Sequence, residues 1–304
     1  FYMSNSSLVL SLFPGGGVLD YAFDLEGFVV VRGPDPIWGG DVGTFHPPAG
    51  RFDGIIGGDP CQSHSALANL VRAKGLEPTF PDLTGEYERV VNECQPAWFL
   101  RENVPKAPDV KPAGYDVKSF MLDNSTLDDG TGWGYEQMRS RKFWFGVRDG
   151  AAPELRKFIN FALFELPHAQ QTVSSDARLV PVAIGGSGKV KVSASRTKQT
   201  AVGGNDGHIN QLGSKEYREH REKQAVVTGR HHSNEMRTTK IRGEGWVGQI
   251  QRRTLEEMME LQGIPEGWFK HSPFTMAARR KIVGNAVPVG MGRAMATAIR
   301  EAMA

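Results

Sequence analysis

The residues best suited to chemistry lie in Gly57-Gly58-Asp59-Pro60-Cys61-Gln62, directly after the apolar run Phe52 to Ile56. That run reads as the end of a buried strand. Cys61 therefore sits on a Gly/Pro turn at a strand's carboxyl end, where open α/β sheets bind ligands. Gly57 and Gly58 let the backbone pass close to a ligand, and Pro60 stiffens the approach to the sulfur. A thiolate is a strong nucleophile near neutral pH, so an exposed Cys61 is a candidate for covalent catalysis. A buried, inert thiol is the other reading. Further along, Ala97-Trp98-Phe99-Leu100 reads as a strand leading into Arg101-Glu102-Asn103-Val104-Pro105. Glu102 then stands on the ligand edge, as a site carboxylate or as a surface salt-bridge partner. Alternation over Gln137 to Arg141 puts Gln137, Arg139 and Arg141 on one face. Two converging guanidiniums suit an oxygen acceptor or a phosphate, and equally the solvated edge of a strand.

These groups need a scaffold, and the N-terminal residues describe one. Leu8 to Phe13 reads as a buried strand, Pro14-Gly15-Gly16-Gly17 as a turn and Val18 to Phe23 as a helix. Strand, glycine turn and helix form the first unit of a nucleotide-binding α/β fold. The glycines let an adenosine-type cofactor lie against backbone amides, with Phe13 available to face an adenine ring. A second strand, Gly27 to Val31, ends near Asp35, where a ribose diol would be held. Asp41 follows, suited to an exocyclic amine; both acids also fit turn or capping roles. The crossover helix between them looks abbreviated. Ser63 to Pro81 reads as a loop able to close over a substrate. Gly85 to Gln95 reads as a helix with Tyr87, Val90, Val91 and Cys94 on its core face.

Composition narrows the class. Hydrophobic content of 39% with 23% charged residues excludes a disordered chain and fits an ordinary globular one. Only Cys61 and Cys94 are cysteines, too few for a disulfide framework, which points to a reducing, cytoplasmic setting. No apolar stretch approaches the roughly 18–20 residues that span a bilayer. The net charge of +2 is uneven: Thr172 to Arg252 holds 14 Lys/Arg against 7 Asp/Glu, a surplus of +7. A basic segment on an otherwise acidic chain suits a polyanionic partner or a solvated surface. Residues Ser174 to Trp246 read as short strands and long loops, partly disordered around Lys198 to Asn210. His231-His232 lacks companions at ligand spacing, so no metal site is expected. Thr254, with Glu257 three residues on, caps a helix to Leu261. Gly292 to Met303 reads as a small-residue helix that packs against a sheet.

Taken in order, these pieces resemble the DNA (cytosine-5) methyltransferases across nearly the whole chain. Phe13-Pro14-Gly15-Gly16-Gly17 is similar to that family's cofactor motif and Gly58-Asp59-Pro60-Cys61-Gln62 to its nucleophile loop. Glu102-Asn103-Val104, Gln137-x-Arg139-x-Arg141, Leu261-Gln262-Gly263 and Gly284-Asn285-Ala286-Val287 match four more motifs. The resemblance implies S-adenosylmethionine as methyl donor and cytosine C5 in double-stranded DNA as acceptor. Cys61 would be the nucleophile, Glu102 would bind the N3 and N4 edge, Arg141 would steady O2 and Arg139 would brace the site. Phe13, Gly15, Gly17, Asp35 and Asp41 would hold the donor, with Pro60, Leu83, Asn285 and Val287 completing its pocket. A base buried in the duplex would have to be flipped out. The same chemistry on RNA, a modified donor, and a non-catalytic DNA-binding relative are the alternatives.

The implied fold is a Rossmann-like α/β methyltransferase domain, residues 1–168 plus 269–304. A smaller irregular target-recognition domain, 169–268, is inserted in it, and the protein is expected to act as a monomer. Three positions depart from the family pattern. Asp59 replaces a proline, and a carboxylate aimed at the sulfur would raise the Cys61 pKa. His64 replaces a phenylalanine and offers a group titrating near neutrality or a DNA contact. Pro36 stands where an aromatic often follows the ribose-binding acid.

Overall fold

The computed structural model describes residues 7–64, 81–123, 139–160, 234–241, 245–252 and 254–304. Residues 65–80 of the expected closing loop, Gln137, and the recognition segment through His231-His232 lie outside the described residues. Two compact units form: one holds Phe1–Asp123, Ser140–Phe164 and Val287–Ala304, the other Asn124–Arg139 and Glu165–Ala286. In chain order the elements begin β1 (Leu8–Leu12), α1 (Val18–Leu25), β2 (Val29–Arg32), β3 (Gly54–Gly57) and α2 (Thr84–Cys94). Next come β4 (Trp98–Asn103), β5 (Tyr115–Asp123), β6 (Ser140–Arg148), β7 (Asn234–Ile241) and β8 (Gly245–Arg252). Helices α3 (Leu255–Gln262), α4 (Met276–Asn285) and α5 (Val289–Ala302) close the chain.

The first unit is built on a six-stranded sheet of order β2-β1-β3-β4-β6-β5. The first four of these strands are parallel, whereas β6 runs antiparallel to both β4 and β5. Parallel strands covered on both faces need continuous apolar runs. Accordingly Val9, Leu10, Leu12, Ile55, Ile56, Phe99 and Leu100 are all buried. Each such side chain stabilises the fold by roughly 1.5–3 kcal/mol. Helix α2 buries Tyr87, Val90, Val91 and Cys94, the face expected from its 3.6-residue period. Helix α5 packs on α1 where Gly292 meets Ala22, and Arg293 Nε reaches Glu26 Oε1 at 2.6 Å. In place of a crossover helix after β2 there are only two short 3-10 turns, Pro36–Trp38 and Val42–Thr44.

One strand has no counterpart in the sequence reading: β5, at the sheet edge, carries mixed polar and apolar residues on both faces. In the second unit β7 and β8 form an antiparallel hairpin. Helix α3 opens on the expected capping box, with Glu257 N–H donating to Thr254 Oγ1 (3.1 Å) and Thr254 N–H to Glu257 Oε2 (2.6 Å). Among the described residues no helix is long and apolar enough to cross a membrane.

Candidate active site

Strand order fixes where chemistry can occur. The chain leaves β1 toward β2 on one side and returns to β3 on the other, so a crevice opens at their carboxyl ends. The Phe13–Gly17 turn follows β1 there, and the Gly57–Cys61 turn follows β3. Strand β4 ends at the same edge with Glu102 and Asn103. Because β6 is antiparallel to β4, it begins at that edge with Ser140 and Arg141. Register pairs Glu102 with Phe143, and period-two alternation puts Arg141 on the Glu102 face. Arg141 Nε lies 2.7 Å from Glu102 Oε1, both side chains being only slightly exposed. The Glu102 carboxylate also overlies the nucleophile turn: a Cβ on Gly58 would come within 3.0 Å of Oε2.

Cys61 opens a 3-10 turn, Cys61–His64, and is half-buried, whereas Cys94 is fully buried. Burial pushes the Cys94 thiol up to about 11, which leaves Cys61 as the thiol able to react. Beneath Cys61 lies a network that sequence reasoning did not find. Asp59 is buried and both its carboxylate oxygens face Arg101, with Nε donating at 2.5 Å and Nη2 at 3.0 Å. Thr84 Oγ1 donates to the same carboxylate at 3.2 Å. Burial alone would raise the Asp59 pKa; hydrogen bonds from His64 and Arg101 and the guanidinium charge outweigh it and hold the group at about 2. The carboxylate is thus turned to Arg101, so the condition under which it would raise the Cys61 pKa, a carboxylate aimed at the sulfur, is not met. His64 is buried as well, with Nε2 3.4 Å from Asp59 Oδ2 and from Asp82 Oδ1, which corrects its reading as a DNA contact. Asp59, His64 and Asp82 have ligand atoms within 4.8 Å of one another, but Arg101 already supplies the cation there.

Because the Asp59 carboxyl is a stronger acid folded (about 2) than unfolded (3.8), its ionised form stabilises the fold. That contribution, about 2 kcal/mol, is complete above roughly pH 4 and is lost as the pH falls toward 2. Urea unfolding across this window is expected to show wild type losing about that much more stability than Asp59→Asn. Equal losses would mean that Asp59 is not held ionised by its partners.

On the donor side, Phe13, Gly15 and Gly17 all adopt positive φ (53°, 55° and 75°). Such values are uncommon for a residue like phenylalanine and aim the turn's backbone at the sheet edge. A Cβ on Gly15 would meet no atom within 4 Å, so that face of the turn is open. Asp35 accepts from Gly15 N–H and from Ile37 N–H, each at 2.8 Å, tying the turn to the segment after β2. An ionised carboxylate has about four acceptor sites, so this use leaves capacity for a diol. Asp41 is exposed and accepts from Gly43 N–H at 2.9 Å. Pro60 and Leu83 are half-buried and Val287 is buried. Trp38, absent from the sequence reading, is 52% exposed and donates its indole N–H to the Gly15 carbonyl at 2.9 Å. Two carboxylates, aromatic surface and an open glycine turn fit a donor that carries a diol, an amine and a heterocycle.

In the second unit two sequence motifs meet on a third. Arg139 is buried, and its Nη2 donates to the carbonyls of Gly284 and Ala286, both at 2.8 Å. Gln262, also buried, donates to the carbonyl of Val283 at 2.9 Å. Arg139 thus braces the turn that presents the exposed Asn285, while Arg141 has Glu102 as its partner. Arg101, Asn103 and Gln262 are the positioning residues that the sequence reading did not assign.

A parallel sheet with its switch point at β1 and β3 and an antiparallel β6 defines the Rossmann-like, S-adenosylmethionine-dependent methyltransferase fold. The chain belongs to the C-5 cytosine-specific DNA methylase family, whose profile matches residues 41–301, and is a DNA cytosine-5 methyltransferase. It is 25% identical to the type II methyltransferase M.NgoPII of Neisseria gonorrhoeae, over 98% of this chain and 97% of that one. With the type II methyltransferase M.FnuDI of Fusobacterium nucleatum it shares 29% identity, over 53% of this chain and 50% of that one. The S. pombe Dnmt2 methyltransferase shares the fold, with a TM-score of 0.54 at 15% identity and 98% coverage of both chains.

Proposed function

We propose that the protein transfers a methyl group from S-adenosylmethionine to C5 of a cytosine flipped out of double-stranded DNA, through a covalent bond between Cys61 and C6. The observation that carries this reading is the Glu102–Arg141 pair, set over Gly58 of the Cys61 turn at the ligand edge of the sheet. Cytosine C5 is a poor nucleophile, and addition of the Cys61 thiolate at C6 makes the ring an enamine. Glu102 binds the N3 and N4 edge and supplies a proton as charge develops there, while Arg141 holds O2. The donor supplies an electrophilic methyl on its sulfonium. Once C5 has taken the methyl and the donor has left as its neutral thioether, loss of the C5 proton to solvent expels the Cys61 thiolate, and return of the N3 proton to Glu102 restores the neutral aromatic ring.

In this reading Phe13, Gly15, Gly17, Asp35, Asp41, Pro60, Leu83, Asn285 and Val287 bind the donor. Trp38 provides the aromatic surface that Pro36 cannot. Residues 1–168 with 269–304 carry the chemistry, and 169–268, rich in Lys and Arg, grips phosphates and selects the target. The protein acts as a monomer in the cytoplasm.

A duplex containing 5-fluorocytosine tests the covalent step, because fluorine at C5 cannot leave as a proton. With donor present, the wild type is expected to give a complex stable to denaturant, and Cys61→Ala none. A wild type that methylates ordinary DNA yet traps nothing would refute the covalent route.

A further inference from the structure

The turn bearing Cys61 is held by buried charge. The side chains of Asp59 and Arg101 are both wholly inaccessible to solvent. Beyond its two bonds to Asp59, Arg101 donates Nη1 to the Pro108 carbonyl at 2.7 Å, and its guanidinium lies 4.5 Å from the centre of the Trp144 ring. The cation is therefore held by β4, β6 and the segment after β4 independently of Asp59. On the same face of β4, two residues on, Asn103 Nδ2 donates to the Asp59 backbone carbonyl at 3.1 Å. His64, the last residue of the turn, comes back to the Asp59 carboxylate and lies 3.3 Å from Thr84 Oγ1. Residues 59–64 are thus closed at both ends on one anion, with Cys61 between them.

We propose that the Asp59–Arg101 pair is a positioning device for Cys61, fixing the height and angle at which the turn presents its sulfur. The proposal rests on the reading of Cys61 as nucleophile. A buried ion pair adds little stability compared with apolar packing of the same volume, because both ions lose their hydration. What it does supply is direction. A two-pronged guanidinium–carboxylate contact tolerates little rotation, whereas apolar side chains slide. Covalent attack needs the reacting atoms near contact in an aligned geometry, and about 1 Å of misplacement can cost about 100-fold in rate. With both side chains closed to solvent, neither Asp59 nor Arg101 offers a surface to substrate in this arrangement.

The test uses the full chain, a cognate duplex and its 5-fluorocytosine form. Readouts are kcat, KM for DNA and donor, the trapping rate and the melting midpoint. Arg101→Lys keeps the charge but cannot reach Asp59 with two parallel bonds and Pro108 as well. It is expected to fold, to lower kcat and trapping rate together by about 10- to 100-fold, and to leave both KM values within about threefold. Arg101→Met should lose more, and adding Asp59→Asn should recover at least about tenfold of that loss, since no unpaired anion stays buried. Should Arg101→Met fail to fold, the lysine and double variants still decide. Wild-type kcat and trapping in Arg101→Lys, or purely additive losses in the double variant, would overturn the proposal while leaving the nucleophile intact. If Cys61→Ala still methylates DNA, the nucleophile assignment fails and takes this proposal with it.

Discussion

Replacing Glu102 by glutamine is expected to lower the methylation rate by about 10²- to 10⁴-fold, the usual contribution of a positioned proton donor. Glutamine keeps the shape and can still hydrogen-bond the base, but has no proton to yield as C6 is attacked. The fold should be nearly indifferent. The Glu102–Arg141 pair is only slightly exposed, but glutamine still offers the guanidinium an acceptor oxygen in the same place, so the contact is weakened and not emptied. A melting midpoint close to wild type, unchanged donor binding and a collapsed kcat would together assign Glu102 to chemistry. Label transfer from methyl-tritiated donor to a duplex measures the rate. Activity within about tenfold of wild type would remove Glu102 from its proposed role.

Gly57→Ala should act on stability in the opposite proportion. Gly57 ends β3 at φ 146°, in register with Leu12 of β1. A Cβ there would drive into the Leu12 carbonyl oxygen and lie 3.0 Å from its carbon. Backbone of a central strand cannot move aside as a flexible side-chain end can. The cost is expected to be about 3 kcal/mol or more, a large share of the roughly 5–15 kcal/mol that typically separates folded from unfolded states. The melting midpoint should fall by about 6–12 °C. Gly15→Ala is a useful control: its Cβ would meet nothing, so only the strain of its positive φ remains, roughly 1 kcal/mol. If both variants melt alike, the close approach of β3 to the end of β1 is not what holds that turn.

How far the sequence carries depends on whether a signal is local. Helix α2 declares itself by four apolar residues at helical spacing, and α3 by Thr254 and Glu257 three positions apart. Strand β1 is an apolar run broken only by Ser11. The role of Arg101 had no such mark. Set between Leu100 and Glu102, it reads as an ordinary strand-end cation, and the partner that explains its burial is 42 residues away. Asp59 stands out as a departure, but nothing local indicates which way its carboxylate turns. The hold of Arg139 on the Gly284 carbonyl spans 145 residues, and with that of Gln262 on the Val283 carbonyl it follows from tertiary packing alone. Strand β5 was missed because an edge strand needs neither clean alternation nor an unbroken apolar run.

The salt link under the cysteine turn also bears on how this chain can change over generations. Losing either ion first strands the other in a dry interior, so a lineage cannot readily drift from the charged arrangement to an apolar one by single steps. The two codons should therefore travel as a unit. Homologues with an acid two places before the reactive cysteine should carry a base just ahead of their Glu-Asn pair, and those lacking one should lack both.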